Sequence, residues 1–336
     1  MPHLAASSNS QVNCIDCQSP NVVTAYVRQP KDNNYVFSST DSIPPGDDRY
    51  VILRCSECGS IFLHPAYWEE SSTIYNTERY HRGYFPNNIH QGGGPNLGST
   101  RFPTIGRWRF RRRARKLLKL AAMRCTPGFR VLDIGCATGQ LVRGFNDLGC
   151  DAYGVDVSKP AIDNACDKRL NLHLGPIETA DFPGGFFDLI VSIETFEHLG
   201  PLDTTLQHIR RELKPDGRLI IQVPNDIDSY RARFYRRIWW MVPPMHIRYF
   251  TQLSISRIFG SHGFIIEHTR TTGGFGMDLR MMLSWALKRI GLHLPVKSLP
   301  YRISAQGIDL LFKPVDWFLN SIKRQTEIMV VLSSRA

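Results

Sequence analysis

The stretch Val131-Leu-Asp-Ile-Gly-Cys-Ala-Thr-Gly139 constrains this chain more than any other. A buried strand ends in an acidic residue, and Gly135 and Gly139 then flank a tight turn into a helix. Glycines let a backbone approach a ligand closely, and a helix start offers free N–H groups. Phosphate loops use similar physics, but no Gly-Lys-Ser/Thr follows here. The Gly135-x-x-x-Gly139 spacing also departs from the G-x-G-x-x-G dinucleotide fingerprint. A second acidic residue, Asp156, closes the next strand in Gly154-Val-Asp-Val-Ser158. A carboxylate there can accept hydrogen bonds from both ribose hydroxyls of an adenosine group.

The surrounding pattern is strand–helix alternation. Strands are expected at 130–134, 152–156, 172–174, 188–193 and 218–223, and helices at 140–148, 160–169 and 202–213, with the turn Lys214-Pro-Asp-Gly217 before the last strand. Short apolar strands alternating with amphipathic helices imply an α/β fold whose parallel sheet is covered on both faces. A helix from Ile105 precedes this set, with Phe110, Ala114, Leu117, Leu118 and Ala121 at helical spacing. A helix at 251–261 and a strand at 265–271 follow it. Residues 275–325 read as a helical insertion (279–290, 303–312, 315–324), and 327–333 as a closing strand. The domain boundaries expected are therefore 1–70 for a small separate unit, 71–104 for a linker or lid with Tyr80, Tyr84 and Phe85, and 105–336 for the main domain.

Across residues 105–275 the chain resembles the class I S-adenosylmethionine-dependent methyltransferases, a Rossmann-like fold. The family's D-x-G-C-G-x-G turn is similar to Asp133-Ile-Gly-Cys-Ala-Thr-Gly139, with Ala137 in place of the middle glycine. Phe187-Asp-Leu-Ile-Val-Ser-Ile-Glu-Thr-Phe-Glu-His-Leu199 looks like its fourth strand and "EHL" ending. Leu213-Lys-Pro-Asp-Gly-Arg-Leu219 looks like the fifth-strand entry, and Pro243-Pro-Met-His-Ile-Arg-Tyr-Phe250 like a substrate-side segment. The resemblance implies S-adenosylmethionine as cofactor, held by Asp133, Gly135, Cys136, Ala137, Gly139, Asp156, Val157, Ile177, Ser192 and Glu194. Where the family has Gly-Asp after the third strand, this chain has Gly175-Pro176-Ile177. Adenine recognition is then left to backbone groups and to apolar packing by Val157 and Ile177.

Two Cys-x-x-Cys pairs, Cys14/Cys17 and Cys55/Cys58, can place four thiolates tetrahedrally around zinc. The 37-residue gap is long for a ribbon, and an insert over residues 35–48 accounts for it. Four cysteines close the coordination shell, so the expected zinc is structural. The arrangement resembles a methyltransferase subgroup with an N-terminal zinc ribbon, many of whose members act in sugar and surface-polysaccharide pathways.

Methyl transfer to oxygen or carbon needs an aligned acceptor and removal of a proton, and histidine is the natural base near pH 7. His246 and His198 are the candidates, with Tyr249 and Arg248 beside the first. The net charge of +11 is local: Arg107–Lys119 holds eight basic residues and no acidic one, and Asp228–Arg248 holds five arginines against one aspartate. A uniformly basic, histone-like protein is excluded. The second basic segment, around Trp239-Trp240-Met241, suits an anionic head group at a membrane surface. The acceptor expected is a small molecule: a sugar, nucleotide-sugar or lipid-linked glycan. The alternatives are an RNA methyltransferase and an inactive partner protein that keeps the fold. Nucleic acid is disfavoured because the cysteine unit carries more acidic than basic residues between Cys14 and Cys58. With no apolar run of membrane-spanning length and no secretory signal, the expected location is the cytoplasm, with peripheral contact at the inner face of the membrane.

Overall fold

A computed structural model of the chain describes residues 12–28, 50–69, 103–230, 243–275 and 311–335. Among the described residues, the main sheet has seven strands in the order β6-β5-β4-β7-β8-β10-β9. These are β4 (Arg130–Ile134), β5 (Asp151–Asp156), β6 (Asn171–Leu174), β7 (Phe187–Ile193), β8 (Leu213–Pro224), β9 (Phe264–Thr272) and β10 (Glu327–Ser334). The first five pair in parallel, while β10 runs antiparallel between β8 and β9. The expected α/β sheet is therefore present and mostly parallel.

Apolar residues at successive strand positions feed opposite faces, because strand side chains alternate. Val131, Leu189, Val191, Ile220 and Val331 pack one face beneath α1 (Pro103–Leu120) and α2 (Gln140–Asn146). Their neighbours Leu132, Ile190, Ile221 and Val330 pack the other beneath α4 (Asp203–Glu212) and α5 (Gln252–Ser261). Burial on both faces is why these strands read as continuous apolar runs. Two further α-helices complete the described set, α3 (Lys159–Asp163) and α6 (Lys313–Ser321).

Three local expectations change. The helix expected over 160–169 stops at Asp163, where Asn164 caps it by returning its side-chain amide to the Pro160 carbonyl. The turn Lys214-Pro-Asp-Gly217 is absorbed into β8, as a register irregularity between the Leu213 and Arg218 pairings with β7. A short strand unread in the sequence, β3 (Ile61–Leu63), completes a three-stranded antiparallel sheet with β1 (Val22–Arg28) and β2 (Tyr50–Cys55). The insert at 35–48, the lid with Tyr80, Tyr84 and Phe85, Trp239–Met241, the helix at 279–290 and residues 303–310 of the next expected helix lie outside the described residues.

The small sheet is joined to the large domain by main chain. Leu63 donates to the Ile247 carbonyl at 2.7 Å, and Tyr249 donates to the Ile61 carbonyl at 2.9 Å. Residues 247–249 thus extend the small sheet beyond β3, with an antiparallel bridge between Phe62 and Arg248. Tyr249 joins Tyr50, Ile52, Ile61 and Leu63 in one buried cluster.

Helix α1 crosses α2 at Gly144, where an added Cβ would lie 2.7 Å from the Phe110 backbone carbon and oxygen. Backbone atoms cannot swing aside as a flexible side chain can, so only glycine permits this approach. Gly144→Val should lower stability by about 1–3 kcal/mol through overpacking; a denaturant midpoint equal to the parent's would contradict this.

Candidate functional site

The carboxyl edge of the main sheet collects acidic groups from strands far apart in sequence. Asp133 lies in β4, Asp156 ends β5, Glu194 follows β7, Asp226 (with the amide Asn225 before it) follows β8, and Glu327 opens β10. Because β10 is antiparallel, its first residue meets the last residues of its neighbours: Glu327 pairs with Pro224 and with Thr272.

The turn after β4 is built around Asp156. One carboxylate oxygen accepts the Ala137 N–H at 2.7 Å and the other the Ser158 N–H at 2.8 Å. Gly135 and Cys136 both donate to the Val155 carbonyl. Gly135 has φ +78°, and a Cβ there would fall 2.1 Å from Thr195 Oγ1, so conformation and space both require glycine. Ala137, in the middle-glycine place, has φ +48°. A methyl-bearing residue is thus held in the left-handed region, at a cost of about 1–2 kcal/mol. Gly139 forms the N-cap of α2.

Asp133 is buried, and desolvation pushes its carboxyl up to about 7, against the lowering influence of Arg113 and with a further raise from Asp156. Glu194, at φ +55°, is solvent-exposed, and the nearby carboxyls of Glu327 and Asp226 favour its neutral form. The Gln222 amide bridges this pair, donating to Glu194 Oε1 at 3.2 Å and to Glu327 Oε2 at 2.7 Å. Thr272 Oγ1 also donates to Glu327.

Beside these lies a histidine pair. His198 and His246 have ring centroids 5.0 Å apart. The His198 Nδ1–H donates to the Met245 carbonyl at 2.8 Å, and burial, with His246 as neighbour, lowers its pKa to about 3. His198 is therefore neutral at pH 7, with its lone pair on Nε2. His246 Nδ1 stands 3.7 Å from Asp226 Oδ2. Glu197 is buried, its carboxyl pushed well up by desolvation and by Glu194, and Oε2 has no hydrogen-bond partner among the described residues. Its carbonyl accepts from both Ile247 and Arg248, tying the loop after β7 to the segment bearing His246. Glu197, His198 and His246 offer ligand atoms within 4.8 Å of one another, a geometry that could also hold a cation.

The other residues singled out in the sequence fall in different surroundings. Cys136 packs in the core against Gly154, where a Cβ would meet its sulfur at 2.7 Å. Ser192 is buried and donates to the Ile134 carbonyl. Ile177 is a core residue, whereas Val157 is 53% exposed. Tyr249 is enclosed in the cluster shared with the small sheet. Asp226, Asn225 and Glu327 were missed. Asp226 carried the same signal as Asp133, an acidic residue at the end of an apolar strand. Glu327 carried none, since its partners come from strands remote in sequence.

At the far end of the small sheet, the thiols of Cys14, Cys17, Cys55 and Cys58 lie within 4.8 Å of one another. Cys14 and Cys58 are 3.4 Å apart and Cys17 and Cys55 3.6 Å. The Asp16 N–H points at Cys14 Sγ from 3.5 Å. Burial pushes the Cys14 thiol up to about 12 and the Cys58 thiol higher still. Buried thiolates need a compensating cation, and four sulfurs this close fit tetrahedral metal ligation.

The raised Asp133 carboxyl gives stability a pH dependence. Its folded pKa lies above its unfolded value of 3.8, so the contribution is full below that value and is lost as pH rises through about 7. Without any ligand, the unfolding midpoint of the parent should fall relative to Asp133→Asn between pH 5 and pH 8. Parallel pH profiles for the two proteins would contradict the burial-raised carboxyl.

Three comparisons place the region among known proteins. A Ubiquinone biosynthesis O-methyltransferase of Bradyrhizobium sp. (strain ORS 278) is 31% identical over 113 residues, covering 31% of this chain and 43% of the relative. The mitochondrial Ubiquinone biosynthesis O-methyltransferase of Mus musculus is 32% identical over 108 residues, 29% of each chain. The chain thus spans under half the length of these relatives. A SAM-dependent methyltransferase from Archaeoglobus fulgidus superposes with a TM-score of 0.45 at 18% identity, over 68% of this chain and 94% of that one. Residues 105–269, just under half of the chain, match the family model described as Methyltransferase domain.

Proposed function

We propose that this protein transfers a methyl group from S-adenosylmethionine to a small-molecule acceptor, with His246 receiving the acceptor's proton. The observation that carries this reading is the carboxyl edge itself. A glycine turn that needs Gly135 opens beside Asp133, whose carboxyl burial raises, and beside Glu194, which shares the Gln222 amide with Glu327. Such groups ionise readily only when a cation arrives, and a sulfonium bearing an ammonium group is a ligand of that charge. When bound, the cofactor supplies a methyl carbon whose bond to sulfur breaks as the bond to the acceptor forms.

The chain's own residues do the rest. Asp156 fixes the turn through the Ala137 and Ser158 amides, and a carboxylate at the end of this strand is the group that accepts from ribose hydroxyls. His246, 3.7 Å from Asp226, is oriented to take a proton and to have the resulting charge stabilised. His198 is a poor base with its lowered pKa, and it serves by anchoring the Met245 carbonyl one residue before His246. Cys14, Cys17, Cys55 and Cys58 hold a structural zinc.

The acceptor class we favour is carbohydrate-type, a sugar, nucleotide-sugar or lipid-linked glycan, on the subgroup resemblance of the cysteine unit. The relatives named above favour a second reading, an oxygen acceptor in ubiquinone biosynthesis. RNA is disfavoured by the acidic surplus of the cysteine unit. No helix among the described residues is long and apolar enough to cross a membrane. A cytoplasmic location with peripheral contact at the membrane remains part of this proposal.

His246→Ala should abolish release of S-adenosylhomocysteine on an acceptor found by screening, while calorimetry shows cofactor affinity within about threefold of the parent. Unchanged turnover would sink the base assignment, and absence of cofactor binding by the parent at millimolar concentration would sink the whole reading. Metal analysis of the purified chain should find about one zinc per chain; less than half would remove the zinc.

A further inference from the structure

A charged pair joins the cysteine unit to the segment bearing His246. Asp16 sits between the two thiols of the first Cys-x-x-Cys pair. Its carboxylate receives both hydrogen bonds from Arg248 Nη1, and Arg248 Nη2 donates to the Gly200 carbonyl at 2.5 Å. Both side chains are buried, at 2% and 1% exposure. Ser60 Oγ donates a further bond to Asp16 at 2.5 Å. The Asp16 main-chain N–H is the one that points at Cys14 Sγ.

Arg248 is also held by its backbone. Its N–H and that of Ile247 both donate to the Glu197 carbonyl, and the neighbours Ile247 and Tyr249 pair with Leu63 and Ile61. His246 is two residues before Arg248 and one before this fixed strand. From the thiols to the imidazole there is thus an unbroken series of short contacts: Cys14 sulfur, Asp16 amide, Asp16 carboxylate, Arg248, and the strand that starts beside His246. A second tether runs from Arg257 of α5, whose guanidinium donates to the Glu57 carbonyl at 2.5 Å, inside the other Cys-x-x-Cys pair.

We propose that Asp16 and Arg248 are positioning residues for His246, so that the four-cysteine metal knuckle sets the placement of the acceptor-side base. This deepens the proposed function and rests on its assignment of His246. A buried ion pair adds little net stability over an apolar packing of the same volume, and removing one partner strands the other charge. What such a pair supplies is a fixed geometry, here a fork that fastens one register of residues 247–249 against β3. A buried pair spanning two units that β-pairing already joins is explained by placement better than by adhesion. Loading the thiols with metal then fixes the amide and carboxylate of Asp16 together, and through them the segment of His246.

The test uses the full zinc-loaded chain and a readout independent of methyl transfer. The probe is the His246 imidazole NMR signal, assigned by its loss in His246→Gln, together with amide hydrogen exchange and cofactor titration. In Asp16→Asn with zinc retained, the His246 signal should shift or broaden and exchange over residues 247–249 should rise at least tenfold. Exchange over residues 131–139 and the affinity for S-adenosylmethionine should stay within about twofold. Removing zinc with a chelator should reproduce the same local change. An unmoved His246 signal overturns the proposal, and so does an equal rise of exchange in both segments, which marks a merely global role. Should Asp16→Asn fail to fold, Arg248→Lys, which keeps the charge and drops the planar fork, is read the same way. Loss of S-adenosylmethionine binding in the parent itself would instead count against the proposed function, with the NMR and exchange results still standing.

Discussion

Crowding of like charge at one sheet edge is the constraint on which the site depends. Asp133, Glu194, Glu197, Asp226 and Glu327 come from four strands, with Arg113 the cation that acts on both Asp133 and Glu194. Burial first, and neighbouring carboxyls second, raise the carboxyls of Asp133 and Glu197 above the ordinary carboxylate range. Gln222 bridges Glu194 and Glu327 as a neutral donor, which spaces two carboxyls without neutralising either. An edge of this kind gains most from a ligand that brings its own positive charge.

The strand order creates that crowding. A purely parallel sheet would put only strand ends at the carboxyl edge. The antiparallel β10, inserted between β8 and β9, adds a strand beginning and delivers Glu327 to Gln222 and Thr272. The same edge is closed by residues 243–250, which lean on the small sheet through β3 and on the loop after β7 through the Glu197 carbonyl. The cysteine unit therefore backs this segment, and the Asp16–Arg248 ion pair joins the two units.

The two histidines show how surroundings separate identical side chains. His198 gives its Nδ1 proton to a backbone carbonyl and is held neutral by burial, which suits anchoring. His246 faces the Asp226 carboxylate across 3.7 Å, which suits accepting a proton. Sequence offered both as candidate bases, with His246 the more substrate-side of the two, but imidazole alone does not reveal which partner its second nitrogen will meet.

What the sequence determined by itself was everything local in sequence. Short continuous apolar runs and the period-3.6 apolar pattern placed β4, β5, β7 and most helices within a residue or two, because burial of both strand faces or of one helix face writes that pattern directly. The acidic strand ends Asp133 and Asp156 and the paired cysteines were legible for the same reason. The short helix α3, the strand β3 and the extension of β8 through Lys214–Gly217 were not, since capping and pairing partners overrode local propensity there. Only the tertiary structure decided the insertion of β10, the meeting of Glu327 with Glu194, the Asp226 partner of His246 and the burial of Arg248 against Asp16. Those pairings join residues tens to hundreds of positions apart, and hydrogen bonds and charges depend on distance in space, which no spacing along the chain encodes.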